Sequence, residues 1–400
     1  MLIIRLRALP APAWALFAGA FINRFGSFVL PFLTLYLTHE GYPLAQVGLV
    51  VGAYGVGSII ASALGGYFAD RIGRRATITF SMFASAVTML TLAQAHNLLL
   101  LALLTGLAGL MAESYRPAAG ALLADLIPQG QRVTGFAVYR LAINVGVALG
   151  VALAGFLADH SFGLLFVGDA LTSICFGVIA WLALPAYGSD SIEQNTAAHS
   201  SAEESRTGML RALSMDWRFL LFLLASVLAS FVYFQSLSTL GLQVRASGFP
   251  NAVYGGLLSL NALIVMLFEL PLTSITQRLP AYRMMALGTW FVALGFGLTA
   301  FAQGLPVFTI SVLLWTLGEM LNSPVASAHV ADIAPAHLRG QYQGAWGVMG
   351  SAGLILAPVL GTRLFAWNAA GLWLLCGLLG TLSAAIIFFS QRHARTATAK

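Results

Sequence analysis

The sequence predicts an all-α membrane protein, with twelve transmembrane helices in two six-helix bundles related by a parallel pseudo-two-fold repeat. Three observations predict it. First, 59% of the 400 residues are hydrophobic and only 8% charged, with a mean hydropathy of +0.85. A soluble chain carries about 25% charged residues. Second, the apolar residues, about 236 of them, match the roughly 240 that twelve spans of ~20 residues require, and they fall into twelve runs. Third, the halves repeat at one constant offset. This composition excludes a soluble enzyme, a disordered chain and a single-anchor receptor.

The runs are 14–38, 44–69, 76–95, 98–123, 133–158, 162–184, 219–244, 251–276, 284–302, 305–330, 340–362 and 370–389. Each is long enough to cross a ~30 Å hydrocarbon core as a helix. The first is no cleavable signal peptide: it is too long, Arg24 interrupts it, and no small-residue cleavage site follows. Residues 185–218 break the pattern, running from Pro185 through Gly188-Ser189-Asp190 to Glu203-Glu204-Ser205-Arg206. They read as a polar cytoplasmic linker. It separates an N-terminal bundle, 1–184, from a C-terminal bundle, 219–400.

Positive charge sets the expected orientation. With the N-terminus inside, fifteen of the twenty Lys and Arg fall on the cytoplasmic side, among them Arg5, Arg7, Arg132, Arg283, Arg392 and Lys400. Arg245 and Arg363 fall outside, and Arg24, Arg116 and Arg140 lie within spans. Both termini are then cytoplasmic. The net charge of +6 is a topology signal and gives no reason to expect nucleic acid. Cys175 and Cys376 form no disulfide framework or zinc spacing, and His96, His160 and His329 show no metal-ligand spacing. No P-loop appears, so no cofactor or metal is expected and the energy source is an ion gradient.

At an offset of 207, Gly48 matches Gly255, Arg71 matches Arg278, and Pro117 matches Pro324. The same offset aligns Asp125 with Asp332, Pro128 with Pro335, and Arg132 with Arg339. The register is free of gaps over about 85 residues. Six spans is an even number, so the two copies share one orientation, which is a parallel repeat about an axis along the membrane normal.

Between the second and third spans stands Gly66-Tyr67-Phe68-Ala69-Asp70-Arg71-Ile72-Gly73-Arg74-Arg75. It resembles the G-x3-D-[RK]-x-G-[RK]-[RK] signature of the major facilitator superfamily at every position. With twelve spans, a linker and a parallel repeat, the resemblance covers the whole chain. It implies a secondary transporter of a small-molecule substrate, a monomer in the cytoplasmic (inner) membrane of a bacterium. It further implies that Asp70, Arg71, Arg74 and Arg75 form a charge cluster with Asp125 that latches the outward-facing state. Gly73 permits the tight turn. The second copy has decayed to Gln277-Arg278-Leu279-Pro280. A plainer reading, in which the arginines only set topology, stays open.

A charged side chain at the centre of a membrane helix costs about 2.5–3.5 kcal/mol, so each one needs a reason. The N-terminal half holds Arg24, Glu113, Arg116, Arg140 and Asp169. Glu113 and Arg116 are three apart and can pair on one helix face. Arg116 lies about 13 Å from Asp125 along its helix, and Arg140 about 10 Å from Val133, so the two sit at similar depth. A structural network and a substrate site are both open here. The C-terminal half holds Glu269 and Glu319 and no intramembrane base. A buried carboxylate without a partner tends to keep a proton, which suits proton exchange; a permanently protonated group bonded between helices is the alternative.

The stretch Trp315-Thr316-Leu317-Gly318-Glu319-Met320, with Ser323-Pro324, resembles the tenth helix of multidrug–proton antiporters in this superfamily. The resemblance implies that Glu319 contacts cationic substrate and exchanges protons. In the fifth-helix motif G-x8-G-x3-G-P-x2-G-G, Gly146, Gly150 and Gly155 remain, but Val151 replaces the proline and Ala154 a glycine. Phe21, Phe25, Tyr36, Tyr54, Tyr139, Phe231, Tyr233, Phe234 and Trp346 are candidates to line a pocket, the run 231–235 foremost. The expected function is proton-coupled export of amphipathic, cationic compounds. A narrow metabolite transporter (sugar, amino acid or siderophore) binding an anionic group through the N-half arginines is the alternative, and a non-transporting membrane sensor a third.

Overall fold

A computed structural model describes residues 9–128, 131–185, 217–334 and 339–392, apart from the side chains at 63, 70, 133, 331, 339 and 340. Most of the proposed linker lies outside the described residues. Among the described residues fifteen α-helices follow in order: α1 Ala11–Phe25, α2 Val29–His39, α3 Leu44–Arg71, α4 Arg74–Leu92, α5 Leu98–Leu126, α6 Arg132–His160 and α7 Gly163–Ala183. Then come α8 Trp217–Tyr233, α9 Gln235–Ser238, α10 Leu240–Ala246, α11 Asn251–Thr276, α12 Ala281–Leu298, α13 Leu305–Ile333, α14 Arg339–Trp367 and α15 Ala369–Arg392. They supply twelve stretches long and apolar enough to cross a membrane. Helix starts follow local chemistry. Asn97 caps α5 by accepting from the backbone N–H groups of Leu99 (2.9 Å) and Leu100 (3.3 Å), and proline precedes α1, α3 and α12.

The chain divides into two compact units, Met1–Gln194 with Phe249–Leu263, and Asn195–Gly248 with Ile264–Lys400. In the first, α1 packs on α6 and α7, α3 on α5, and α4 on α5 and α7. In the second, α8 packs on α14 and α15, and α12 on α13 and α15. Four of these pairings recur at the 207-residue offset: α1 on α6 and α7 matches α8 on α14 and α15, and α4 on α5 and α7 matches α12 on α13 and α15. The first unit takes in the start of α11 because Asp159, near the end of α6, accepts from the backbone N–H groups of Asn251 (2.8 Å) and Ala252 (2.9 Å). A carboxylate at a helix N-terminus meets the positive end of its dipole.

The repeat also extends to backbone geometry. Gly41 and Gly248 are 207 residues apart, both with positive φ (+85° and +86°), and each is followed two residues later by proline. Each donates its N–H three residues back, to Thr38 (3.1 Å) and Arg245 (3.0 Å). Only glycine takes this conformation without strain.

Two expected helices are interrupted. The first span breaks at Gly26-Ser27-Phe28, between α1 and α2, and the seventh at Phe234 and again at Thr239. At the offset of 207, Gly26–Phe28 corresponds to Tyr233–Gln235, so the break recurs at one place in each half. Different side chains hold the two breaks. Buried Gln235 donates to the carbonyls of Phe231 (3.3 Å) and Ala357 (3.5 Å) and accepts from Ser238 (3.1 Å) and Thr239 (2.7 Å). At the first break the partner comes from α7, as described below.

Small residues bring charged helices close. A methyl group at Gly65 would lie 2.6 Å from the Ser114 carbonyl, and one at Gly288 would lie 2.7 Å from the Gly318 carbonyl. Such contacts are the small-residue packing of membrane helices. They pin α3 to α5 and α12 to α13, the helices carrying Glu113 and Glu319.

Candidate functional site

Within the second unit, five helices line an open cavity of about 290 Å³. Phe222, Ser226, Ser230, Tyr233 and Phe234 come from the α8 side, Thr289 and Val292 from α12, and Glu319, Asn322 and Ser323 from α13. Trp346 of α14 and Ile387 of α15 complete the wall. Glu319 is not the partnerless carboxylate expected: the Tyr233 hydroxyl donates to its Oε1 at 3.1 Å. The tyrosine ring meets Trp315 edge-on, with centroids 6.0 Å apart. Asn322 donates to the Thr289 hydroxyl at 3.4 Å. One acid among aromatic faces and neutral polar groups suits a cation carried on an apolar body. Of the run 231–235, Tyr233 and Phe234 line the cavity and Phe231 is buried in packing. Glu269 is also buried, on α11, outside this wall.

In the first unit, Glu113 gathers the charges. Arg116 of the same helix bonds it at 2.8 Å, Arg24 of α1 lies at 3.6 Å, and the Tyr54 hydroxyl of α3 donates at 3.5 Å. The Arg24 guanidinium stands 5.7 Å from the centre of the Tyr115 ring. One carboxylate therefore ties three helices, with two guanidiniums on it. Arg140 lies on α6 with an exposed side chain. Asp169 stands apart, 6% exposed on α7, and accepts from the Val29 backbone N–H at 3.4 Å. The Glu113–Arg116 pair follows from sequence spacing, whereas the reach of Arg24 and Asp169 depends on which helices pack.

At the Arg-rich end of the same unit, Arg74 forms an ion pair with Asp125 and donates to the Ala121 carbonyl at 3.3 Å. The loop after α3 is thereby joined to the end of α5. Gly73 has φ +90°, and the Arg71 guanidinium stands 5.4 Å from the Tyr67 ring centre. Arg75 lines a surface cavity with Phe80 and Trp181. Gly66 faces open space, and the Asp70 side chain lies outside the described residues. Among the described residues, no group of three or more His, Cys, Asp or Glu is placed to hold a metal ion.

Twelve membrane-length helices in repeated halves, with a cluster of charges inside the first unit and an acid in the cavity of the second, define the class as a membrane transporter. The chain belongs to the Major Facilitator Superfamily, whose family model matches residues 16–252 and 237–400. It is 26% identical over 384 residues to a Na(+), Li(+), K(+)/H(+) antiporter of Planococcus maritimus, covering 88% of each chain. It is 30% identical over 156 residues to the quinolone resistance protein NorA of Staphylococcus aureus, covering 38% of this chain and 39% of that one. Its fold is similar to that of the nucleoside transporter NupG, with a TM-score of 0.79 at 16% identity over 97% of this chain and 100% of that one. The protein is an integral membrane secondary transporter.

Proposed function

We propose that the chain is a proton-coupled exporter of amphipathic, cationic compounds. The observation that carries this reading is Glu319, set in a cavity walled by Tyr233, Phe234 and Trp346. A carboxylate there exchanges one positive charge for another: a proton leaves as the cationic substrate binds, and returns when it departs. Charge neutrality inside the unit is kept in both forms, which limits the cost of a bare charge in a low-dielectric site. The likeness to a cation/proton antiporter along the chain, and to a quinolone resistance protein over part of it, supports the same reading. Arg24 and Arg116 are both engaged by Glu113, which favours a cationic substrate over an anionic one.

In this reading the bundles 1–184 and 219–400, joined by 185–218, are the bodies that alternate access, with both termini in the cytoplasm and the chain in the inner membrane. The Arg74–Asp125 pair, with Arg71, Arg75, Gly66, Gly73 and Asp70 around it, is the latch that biases one state. Glu319 carries the coupled proton, and Glu269, Glu113 and the intramembrane arginines set the field around the path. The test is transport of a fluorescent lipophilic cation in proteoliposomes with an imposed pH gradient. Uphill flux is expected in the wild type and its loss in Glu319→Gln. Full uphill transport by Glu319→Gln would overturn the coupling role.

A further inference from the structure

We infer that Asp169 is a second proton-binding site, one that works the break in the first span. Four residues on one face of α7 meet that break. A methyl group at Gly168 would lie 2.7 Å from the Phe28 ring, and one at Gly26 would overlap the Thr172 side chain. Ser173 lies within 3.5 Å of the Asn23 amide nitrogen. Between them, the Asp169 carboxylate accepts from the N–H of Val29, the first residue of α2. Phe28 offers α2 no side-chain cap, so the carboxylate caps it from a neighbouring helix.

The charge on that carboxylate is what the helix end feels. Ionised, it faces the positive end of an eleven-residue helix and accepts its free N–H. When hydronium gives up its proton, an O–H bond forms on Asp169, water leaves, and the charge–dipole attraction is gone. The freed α2 can then change its angle to α1. The repeat sharpens the point: the equivalent break is held by Gln235, which cannot titrate in this way. Of the two breaks, the first is the one whose backbone N–H is capped directly by a titratable side chain among the described contacts.

The titratable and charged groups on the elements packed against α7 are Arg24 on α1, Tyr36 and His39 on α2, Arg74 and Arg75 at the start of α4, and Arg132, Tyr139, Arg140, Asp159 and His160 on α6, with Tyr54 of α3 also within electrostatic reach of Asp169. Of these, Arg24 and Tyr54 act on Asp169 electrostatically. The inference rests on the reading above for its link to substrate flux, but the site itself is testable without substrate.

The experiment places a nitroxide at His39→Cys, at the end of α2, in a Cys175→Ser, Cys376→Ser protein, and follows label mobility by electron paramagnetic resonance between about pH 4 and 10. One mobility transition is expected in this parent. Asp169→Asn, whose amide oxygen still accepts from Val29, should abolish it and hold the mobile spectrum at every pH. Glu319→Gln should leave it in place. An unchanged transition in Asp169→Asn, or none in the parent, overturns the inference. Should Asp169→Asn fail to fold, Asp169→Glu decides: a shifted midpoint supports the site and an unshifted one overturns it. Loss of proton-driven flux with the transition intact would sink the exporter reading alone.

Discussion

The Tyr233 hydroxyl donates to Glu319 across 3.1 Å, and Tyr233 is the last residue of α8 before that helix breaks. The carboxylate in the cavity is therefore bonded to the point where the first helix of its half is interrupted. In the other half, Asp169 meets the equivalent break through Val29. Each broken helix has an acid at its break, Glu319 half-buried and Asp169 buried, and the two come from different helices, α13 and α7.

Removing the first of these contacts should be felt in transport and not in folding. Tyr233→Phe keeps the ring and its packing on Trp315 but deletes the donor. A hydrogen bond to a charged group is worth about 1.5–3 kcal/mol, so apparent substrate affinity should fall roughly tenfold or more. Measured kcat and KM in proteoliposomes check this, with the melting temperature as the control; unaltered kinetics would separate the tyrosine from the site.

The Glu113 cluster should behave as a structural unit. Glu113→Ala leaves two guanidiniums facing each other without their carboxylate, and breaking a buried pair costs about 3–5 kcal/mol. Arg24 and Glu113 keep 16% and 14% of their side-chain surface exposed, which places the expected loss at the lower end. Arg24→Met combined with Glu113→Met should recover much of it. Thermal unfolding of the purified variants measures the cycle, and additive losses would count against the network.

The Arg74–Asp125 pair should matter more for conformation than for stability. Both side chains are partly exposed, 26% and 38%, and such pairs contribute about 0–1 kcal/mol. Arg74→Asp should lower transport several-fold with little change in melting temperature. The swap Arg74→Asp with Asp125→Arg should restore flux. A swap as inactive as the single change would show that the pair is not the operative contact.

Close helix packing supplies a contrast between glycines. Gly288→Ala drives a methyl against the Gly318 carbonyl, whereas Gly120→Ala and Gly256→Ala enter open space. Overpacking costs about 1–3 kcal/mol, while Gly to Ala in an unobstructed helix gains up to about 1 kcal/mol. Melting temperatures should therefore fall for the first and hold or rise for the other two.

Much of this was legible in the chain. The twelve spans agree with the apolar runs to within a few residues, because a stretch of ~20 apolar residues in hydrocarbon must satisfy its backbone as a helix. The family rests on Gly66–Arg75, a local string that needs no tertiary contact to be read. The Glu113–Arg116 pair was equally visible, since i and i+3 share a helix face.

The breaks were not. Gly26-Ser27 sits in a membrane helix, where glycine is common, and Tyr233-Phe234-Gln235 contains no helix breaker. What opens the helix there is a partner able to accept or donate across the gap, Asp169 in one half and Gln235 in the other, and neither role can be read from its own position. The same limit hid the bond from Tyr233 to Glu319, 86 residues apart, and the wall shared by Asn322, Thr289 and Trp346.

By itself, the sequence determined which segments are apolar enough to cross the membrane, how the halves repeat and which few charges lie within those segments, because each follows from composition, spacing and the cost of charge in hydrocarbon. Only the tertiary structure decided which charges meet. Arg24 reaches Glu113, Tyr233 reaches Glu319 and Asp169 reaches Val29 because helix faces turn toward one another when small residues let the backbones approach. That choice of faces depends on several helices at once, and no single stretch of the chain encodes it.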